Sequence, residues 1–190
     1  MRKSFFALAA ATLLAGAAHA APGEYAIDPT HTFVTFEISH FGASVTRVRL
    51  DKKQGSVQFD AAGKTGKVDI SFDATSMNSG TPSFDKHLQS ADLFNAAQYP
   101  TIKFVSDKFS FNGDKVSEVT GQLTLLGKTG PVTLKAHQFN CYQSPMLKRE
   151  VCGGDFEATI DRTQWGLNYG LPMVAGKEVR VIATVEAVKQ

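Results

Sequence analysis

The sequence predicts an all-β protein, its short antiparallel strands closed into a barrel or stacked as a sandwich, and three observations predict it. Apolar and polar residues alternate along many short segments. Turn-forming clusters separate those segments. No segment is followed by the helical pattern of about ten or more residues that a parallel crossover requires, which disfavours alternating β and α units.

The first clear strand sets Thr32, Val34, Phe36 and Ile38 against His31, Phe33, Thr35, Glu37 and Ser39, apolar mainly on one face. The same rhythm returns at Val57/Phe59, Val68/Ile70/Phe72, Ile102/Phe104, Phe109/Phe111, Leu123/Leu125, Val132/Leu134, Phe156/Ala158/Ile160 and Val179/Val181/Ala183/Val185. Turns are expected at Asp60-Ala61-Ala62-Gly63, at Asn112-Gly113 and at Gly127-Lys128-Thr129-Gly130-Pro131. Asn-Gly is the strongest two-residue hairpin signal.

One segment breaks the rhythm. Thr81 followed by Pro82 reads as a cap and a first helical residue, and Phe84, His87, Leu88 and Ala91 then share a face. A short helical insertion over about 81–95 is expected. Asp92-Leu93-Phe94-Asn95 forms its second turn or a loop, and Tyr99-Pro100 opens the next strand because a residue before proline is pushed to extended geometry.

Residues 1–20 read as a cleaved export signal: Arg2 and Lys3, an apolar run from Phe5 to Ala18, then the small-x-small Ala18-His19-Ala20. The run is shorter than the roughly 20 residues of a spanning helix. The expectation is cleavage after Ala20, no membrane anchor, a periplasmic protein and a single domain over residues 21–190. All but Phe5 and Phe6 of the 14 phenylalanines lie in that domain, enough for a real core. Arg2 and Lys3 also account for the formal charge of +2, so the remainder is electrically balanced. Its lysines are scattered, with no arginine-rich stripe to track phosphates, and nucleic acid is not an expected partner.

Cys141 and Cys152 are the only cysteines, and in an exported chain a lone pair is expected to bond. A redox or metal role suits them less well: the spacing is not Cys-x-x-Cys, and no histidine flanks them.

Outside the leader the histidines are His31, His40, His87 and His137, none at a spacing that sets two ligands on one helix face, so no metal is expected. Asp28 with His31 can be drawn as an acid–base pair, but Asp-Pro-Thr-His at a strand start reads better as a turn held by Asx hydrogen bonds. No nucleophile elbow, phosphate loop or dinucleotide fingerprint is present; the protein reads as a non-enzyme without a resident cofactor. Asp161-Arg162, just before Trp165-Gly166, is expected to form an ion pair fixing a loop, with a headgroup contact by Arg162 as the alternative. Residues 166–173, ending in Met173, suit a flexible lip.

A closed barrel of about eight strands is either filled by side chains or holds one ligand, and periodicity leaves both open. Four runs in order, IDPTHTFVTFEISHFG (27–42), SFDKHLQSADLFNAAQYPTIKFVS (83–106), GQLTLLGKTGPVTL (121–134) and IDRTQWGL (160–167), resemble the successive signatures of the YceI-like polyisoprenoid-binding family. The resemblance spans about Tyr25 to Ala187. It implies an extended, lipocalin-like antiparallel barrel in the periplasm whose tunnel accepts a long isoprenoid tail, and homodimers as a common state. Three features depart from the family pattern: Leu126 replaces a frequent histidine, Tyr25 replaces a usual tryptophan, and the Cys141/Cys152 hairpin belongs to a subset.

On that basis the expected protein is a carrier or storage protein for a polyprenyl or isoprenoid-quinone lipid. Its expected tunnel lining is Val34, Phe36, Ile38, Phe59, Ile70, Phe72, Phe84, Leu88, Ile102, Phe104, Leu123, Leu125, Phe156, Trp165 and Met173, with His87 and Arg162 at the mouth or headgroup. A register slip of one residue would turn a whole strand's set outward. The rivals are a fatty acid or fatty amide carrier, an enzyme acting on a lipid or quinone, and a stress-related barrel with a filled core.

Overall fold

The computed structural model describes residues 22–190; the expected leader and cleavage site lie outside the described residues. Eleven strands follow in order: β1 (Gly23–Ile27), β2 (Phe33–His40), β3 (Ser44–Leu50), β4 (Lys53–Asp60), β5 (Thr65–Asp73), β6 (Met77–Asn78), β7 (Thr101–Asn112), β8 (Lys115–Leu125), β9 (Lys128–Gln143), β10 (Glu150–Asp161) and β11 (Glu178–Lys189). Every pairing is antiparallel, and β1, β4, β5, β7, β8, β9, β10 and β11 close on one another as an eight-stranded barrel.

Two breaks let that barrel extend. Asp28 interrupts the first strand, and Asp51-Lys52 the facing one, so β1/β2 and β3/β4 are each one bent wall strand in two pieces. β11 pairs with both pieces of the first: Ala26 faces Val188, and Val34 faces Ala183. Beyond the eight-stranded ring, β2, β3 and β6 carry the wall on toward one end, the mouth.

Bulges keep the apolar positions facing inward along the longest strands. The runs at Ile102/Phe104 and Phe109/Phe111 have opposite parity, yet they belong to the single strand β7, whose register shifts between Val105 and Lys108. Ser106 serves the bulge: its hydroxyl donates to the Thr120 carbonyl at 2.7 Å and accepts from the Lys108 amide at 3.0 Å. On β9, His137 is the extra residue opposite Asp155 and Phe156.

Two turns differ from expectation. The Asn112-Gly113 hairpin forms, but its loop is Gly113-Asp114, with Asn112 still paired to Lys115. The expected turn over residues 127–131 contracts to Leu126-Gly127, both at positive φ, as a tight two-residue hairpin requires. Thr129, Gly130 and Pro131 are strand residues instead. Pro131 is tolerated because β10 pairs with β9 only from Lys135 onward, which leaves its missing N–H on an unpaired side.

The helical insertion is α1 (Pro82–Leu88) followed by turns. Pro82 starts the helix, but the Thr81 side chain makes no capping bond. Asp85 instead ties the helix to the preceding loop, accepting from the Ser79 amide at 2.7 Å and hydroxyl at 2.6 Å.

Candidate functional site

Alternation on the strands turns one set of side chains toward the barrel axis, and at the mouth end these do not meet. They enclose a cavity of about 390 Å³, within the range of small-molecule sites. β2 contributes Val34, Phe36 and Ile38, β5 Phe72, β7 Ile102 and Phe104, and β8 Leu123 and Leu125, while Phe84 and Leu88 reach it from α1. The wall is almost wholly apolar, and its polar side chains, Ser39, His40, Thr46, His87, Tyr169 and Arg162, gather toward one end.

The lining also contains residues that the sequence reading did not select. Val132 and Leu134 of β9, Ile160 of β10 and Val179, Val181 and Ala183 of β11 occupy inward positions of strands already recognised. Leu93 and Phe94 come from the turns after α1; the Phe94 ring lies 5.4 Å from that of Phe36. Both lie in the segment 89–100 between α1 and β7, where no periodicity operates to mark an inward position.

Five residues of the expected tunnel lie elsewhere. Phe59 and Phe156 line a separate inner cavity of about 80 Å³, deeper in the barrel. Ile70 is buried between the two and lines neither. Trp165, 2% exposed, is an anchor: its indole N–H donates to the Leu123 carbonyl at 3.1 Å and its ring covers Gly130, where a Cβ would sit 3.0 Å away. Met173 is 78% exposed on the loop after the cis Leu171-Pro172 bond and points away from the cavity lining.

Arg162 does not pair with Asp161. The carboxylate of Asp161 accepts from the Thr163 amide and hydroxyl and faces Lys177 at 3.6 Å, on the outer side of the wall. Arg162 points inward, 4% exposed, and serves the mouth loop's carbonyls: Nε donates to Gly176 at 2.8 Å, and Nη2 to Tyr169 at 2.8 Å and Ala175 at 3.3 Å. Burial pulls its pKa below the ordinary guanidinium value, yet a guanidinium stays protonated in proteins. Arg162 is also part of the cavity lining, and its Nη1 has no hydrogen-bond partner among the described residues.

The mouth is framed by α1, the β2–β3 hairpin and the 166–177 loop. His87 of α1 meets Tyr169 edge-on at 5.2 Å, the Phe41 amide donates to the Val174 carbonyl at 2.8 Å, and His40 bridges to Ala175. Phe41, Val45, Tyr169 and Met173 are exposed around it.

The Asp28/His31 pair sits outside the cavity. Asp28 accepts from the Thr30 amide at 2.8 Å and from His31 Nδ1 at 2.8 Å, the Asx turn expected at this strand break. Burial opposes ionisation of Asp28, but the bonds from Thr30 and His31 outweigh it and hold its pKa at about 2. With Glu186 these groups form the one cluster among the described residues whose ligand atoms lie within 4.8 Å, the spacing a cation would need. His31 is exposed, and its imidazole is already engaged by Asp28.

At the far end the barrel is plugged by rings. Phe59 stacks with Phe111 at 6.2 Å, meets Phe139 at 5.3 Å and faces Tyr25 edge-on at 6.4 Å. Cys141 and Cys152, directly opposite on β9 and β10, form a disulfide there, as an oxidising compartment permits. No helix among the described residues is long and apolar enough to cross a membrane.

The YceI-like domain profile matches residues 25–187. A UPF0312 protein of Pseudomonas putida strain F1 is 34% identical over 193 residues, covering 100% of this chain and 99% of the relative. A UPF0312 protein of Shewanella denitrificans is 35% identical over 199 residues, covering 100% of both. Among solved structures, BcnA of Burkholderia cenocepacia superposes with a TM-score of 0.71 at 23% identity, over 84% of this chain and 98% of that one. A polyisoprenoid binding domain from Saccharophagus degradans, implicated in plant cell wall breakdown, superposes with a TM-score of 0.66 at 17% identity, over 87% and 98%. These two likenesses are of fold.

Proposed function

This chain belongs to the YceI-like domain family, and from that premise we propose that it is a periplasmic carrier or storage protein holding one long isoprenoid lipid, of polyprenyl or isoprenoid-quinone type. The observation that carries the reading is the apolar cavity of about 390 Å³ with polar groups at one end only. Such a site suits a hydrocarbon chain with a single polar head. The polyisoprenoid binding domain of Saccharophagus degradans, which shares this fold, supports the same ligand class.

Affinity comes from removing hydrocarbon from water, about 0.8 kcal/mol per buried methylene-sized group, offset by the cost of ordering the chain. The chain supplies direction through its polar end. Arg162 Nη1 donates to an acceptor on the head, a quinone carbonyl or a phosphate oxygen, while His87 and Tyr169 flank it at the mouth. The protein needs no resident cofactor for this, and the reaction is transfer of an intact lipid, with no bond made or broken.

A fatty acid is the second reading, because a carboxylate also satisfies a charged donor at the head of an apolar cavity. A barrel with a filled core is disfavoured by the cavity itself. Native mass spectrometry of protein purified without detergent, followed by solvent extraction, separates the three. A stoichiometric isoprenoid supports the carrier reading, and a bound fatty acid replaces it with the second. Protein that is empty, and stays empty when offered quinone or polyprenol, overturns it.

A further inference from the structure

The interior holds two chambers in line, the outer cavity of about 390 Å³ and the inner one of about 80 Å³. Three side chains face both: Phe104, Leu134 and Ala183. They come from β7, β9 and β11 and lie at one level, a partition between chambers that are otherwise continuous in character. Below it the walls are Phe109, Phe139, Phe156, Val68 and Val119, all apolar.

Phe104 contributes the aromatic part of the partition and is seated by a built recess. Its ring lies over Gly121 of the neighbouring β8, so close that a Cβ there would stand 2.5 Å from Phe104 Cζ. Any side chain at 121 would push the ring off the wall. Inward-facing as it is, Phe104 is only half-buried, because open space adjoins it.

We propose that Phe104 is the floor of the lipid site and sets the length of hydrocarbon the protein accepts. This rests on the carrier reading above. With the polar head held at Arg162, each added carbon gains contact until the chain end reaches Phe104. Beyond that point further carbons must fold back or stay in water, and affinity stops rising. Ala183 is too small to do this, and Leu134 borders the floor without a ring to span it.

The test is displacement of a fluorescent apolar probe by isoprenoid alcohols that lengthen one isoprene unit at a time. For the native protein, affinity should rise roughly fourfold per carbon buried and then level off at a definite length. In Phe104→Ala the two chambers merge, and the plateau should move to longer chains by at least one isoprene unit. In Phe104→Trp it should move to shorter ones, and Leu134→Ala, which keeps the ring, should lengthen it less than Phe104→Ala. An unchanged plateau in Phe104→Ala, with short-chain binding intact, overturns the floor while leaving the carrier reading in place. If the native protein displaces no probe with any chain length, the carrier reading fails and the floor with it. Should Phe104→Ala fold poorly, the opposite shift in Phe104→Trp and the smaller one in Leu134→Ala decide the matter.

Discussion

Nη2 of Arg162 donates a hydrogen bond to the main-chain carbonyl of Tyr169 at 2.8 Å, so a cation buried in the barrel wall holds the loop that frames the mouth. The 3₁₀ turn that begins at Arg162 is itself fixed, from the other side, by Asp161 bonding the Thr163 amide.

Arg162→Met removes three bonds to carbonyls and leaves those acceptors short of partners in a partly buried loop. At about 1–3 kcal/mol for a stranded buried group, a net loss of about 3 kcal/mol is expected, read from the shift in urea midpoint. Arg162→Lys should recover only part of it, since one ammonium cannot reach Gly176, Tyr169 and Ala175 together.

Val181→Phe adds a ring to the outer chamber from the middle of β11, where Val181 already lines the cavity opposite Phe36. Thermal stability should hold or rise, because the ring fills space, while binding of an apolar probe should weaken at least tenfold. Equal binding by the variant and the native protein would place the ligand outside this chamber.

Arg180 on β11 ties two neighbouring strands, donating to Glu157 of β10 at 2.7 and 2.6 Å and to Glu37 of β2 at 2.9 Å. The Arg180 bonds, aided by His137, hold the Glu157 pKa at about 2, below its usual 4.5. A depressed carboxylate stabilises the fold above its unfolded pKa and ceases to as pH falls through the folded one. The melting temperature should therefore drop between pH 4.5 and about 2, and Arg180→Gln should flatten that limb. Asp28, also held at about 2, keeps part of it in the variant. His31 works in the opposite sense: its hydrogen bond to Asp28 raises its pKa above 6.5, so its contribution is present below 6.5 and fades as pH rises.

The Cys141–Cys152 disulfide joins residues 11 apart. Restraint of so short a loop in the unfolded chain predicts that the double serine variant loses about 3 kcal/mol, measured by urea unfolding of both proteins under identical conditions. Lipid binding in the outer chamber should be unaffected, since the bond borders only the inner one, where Cys152 forms part of the wall.

The barrel was legible because alternation is a local property that survives in the sequence. Val34/Phe36/Ile38 and Ile102/Phe104 face the interior as their spacing requires. What reversed or redirected a reading was each time a long-range partner. The continuity of β7 through its bulge depends on Ser106 bonding Thr120 of the next strand. Trp165 is pinned by a carbonyl 42 residues away, and Arg162 turned from its sequence neighbour Asp161 to loop carbonyls up to 14 residues distant. The division into two chambers was invisible for the same reason. Phe36, Phe104 and Phe156 are equivalent in pattern, and only the relative height of their strands separates outer chamber, floor and inner wall.

The barrel is closed by pairing β1 with β11, the first and last of the described strands. Without β11 the ring has no closing strand, and Phe72, Phe104 and Leu123 would have no complete chamber to line. A chain that appears from its N-terminal side thus lacks an enclosed cavity until its last described strand is available, and closure is a long-range pairing of the kind that slows folding. On the proposed carrier reading, loading is reserved for finished molecules, and a lipid bound only by the closed form in turn holds β1 and β11 together.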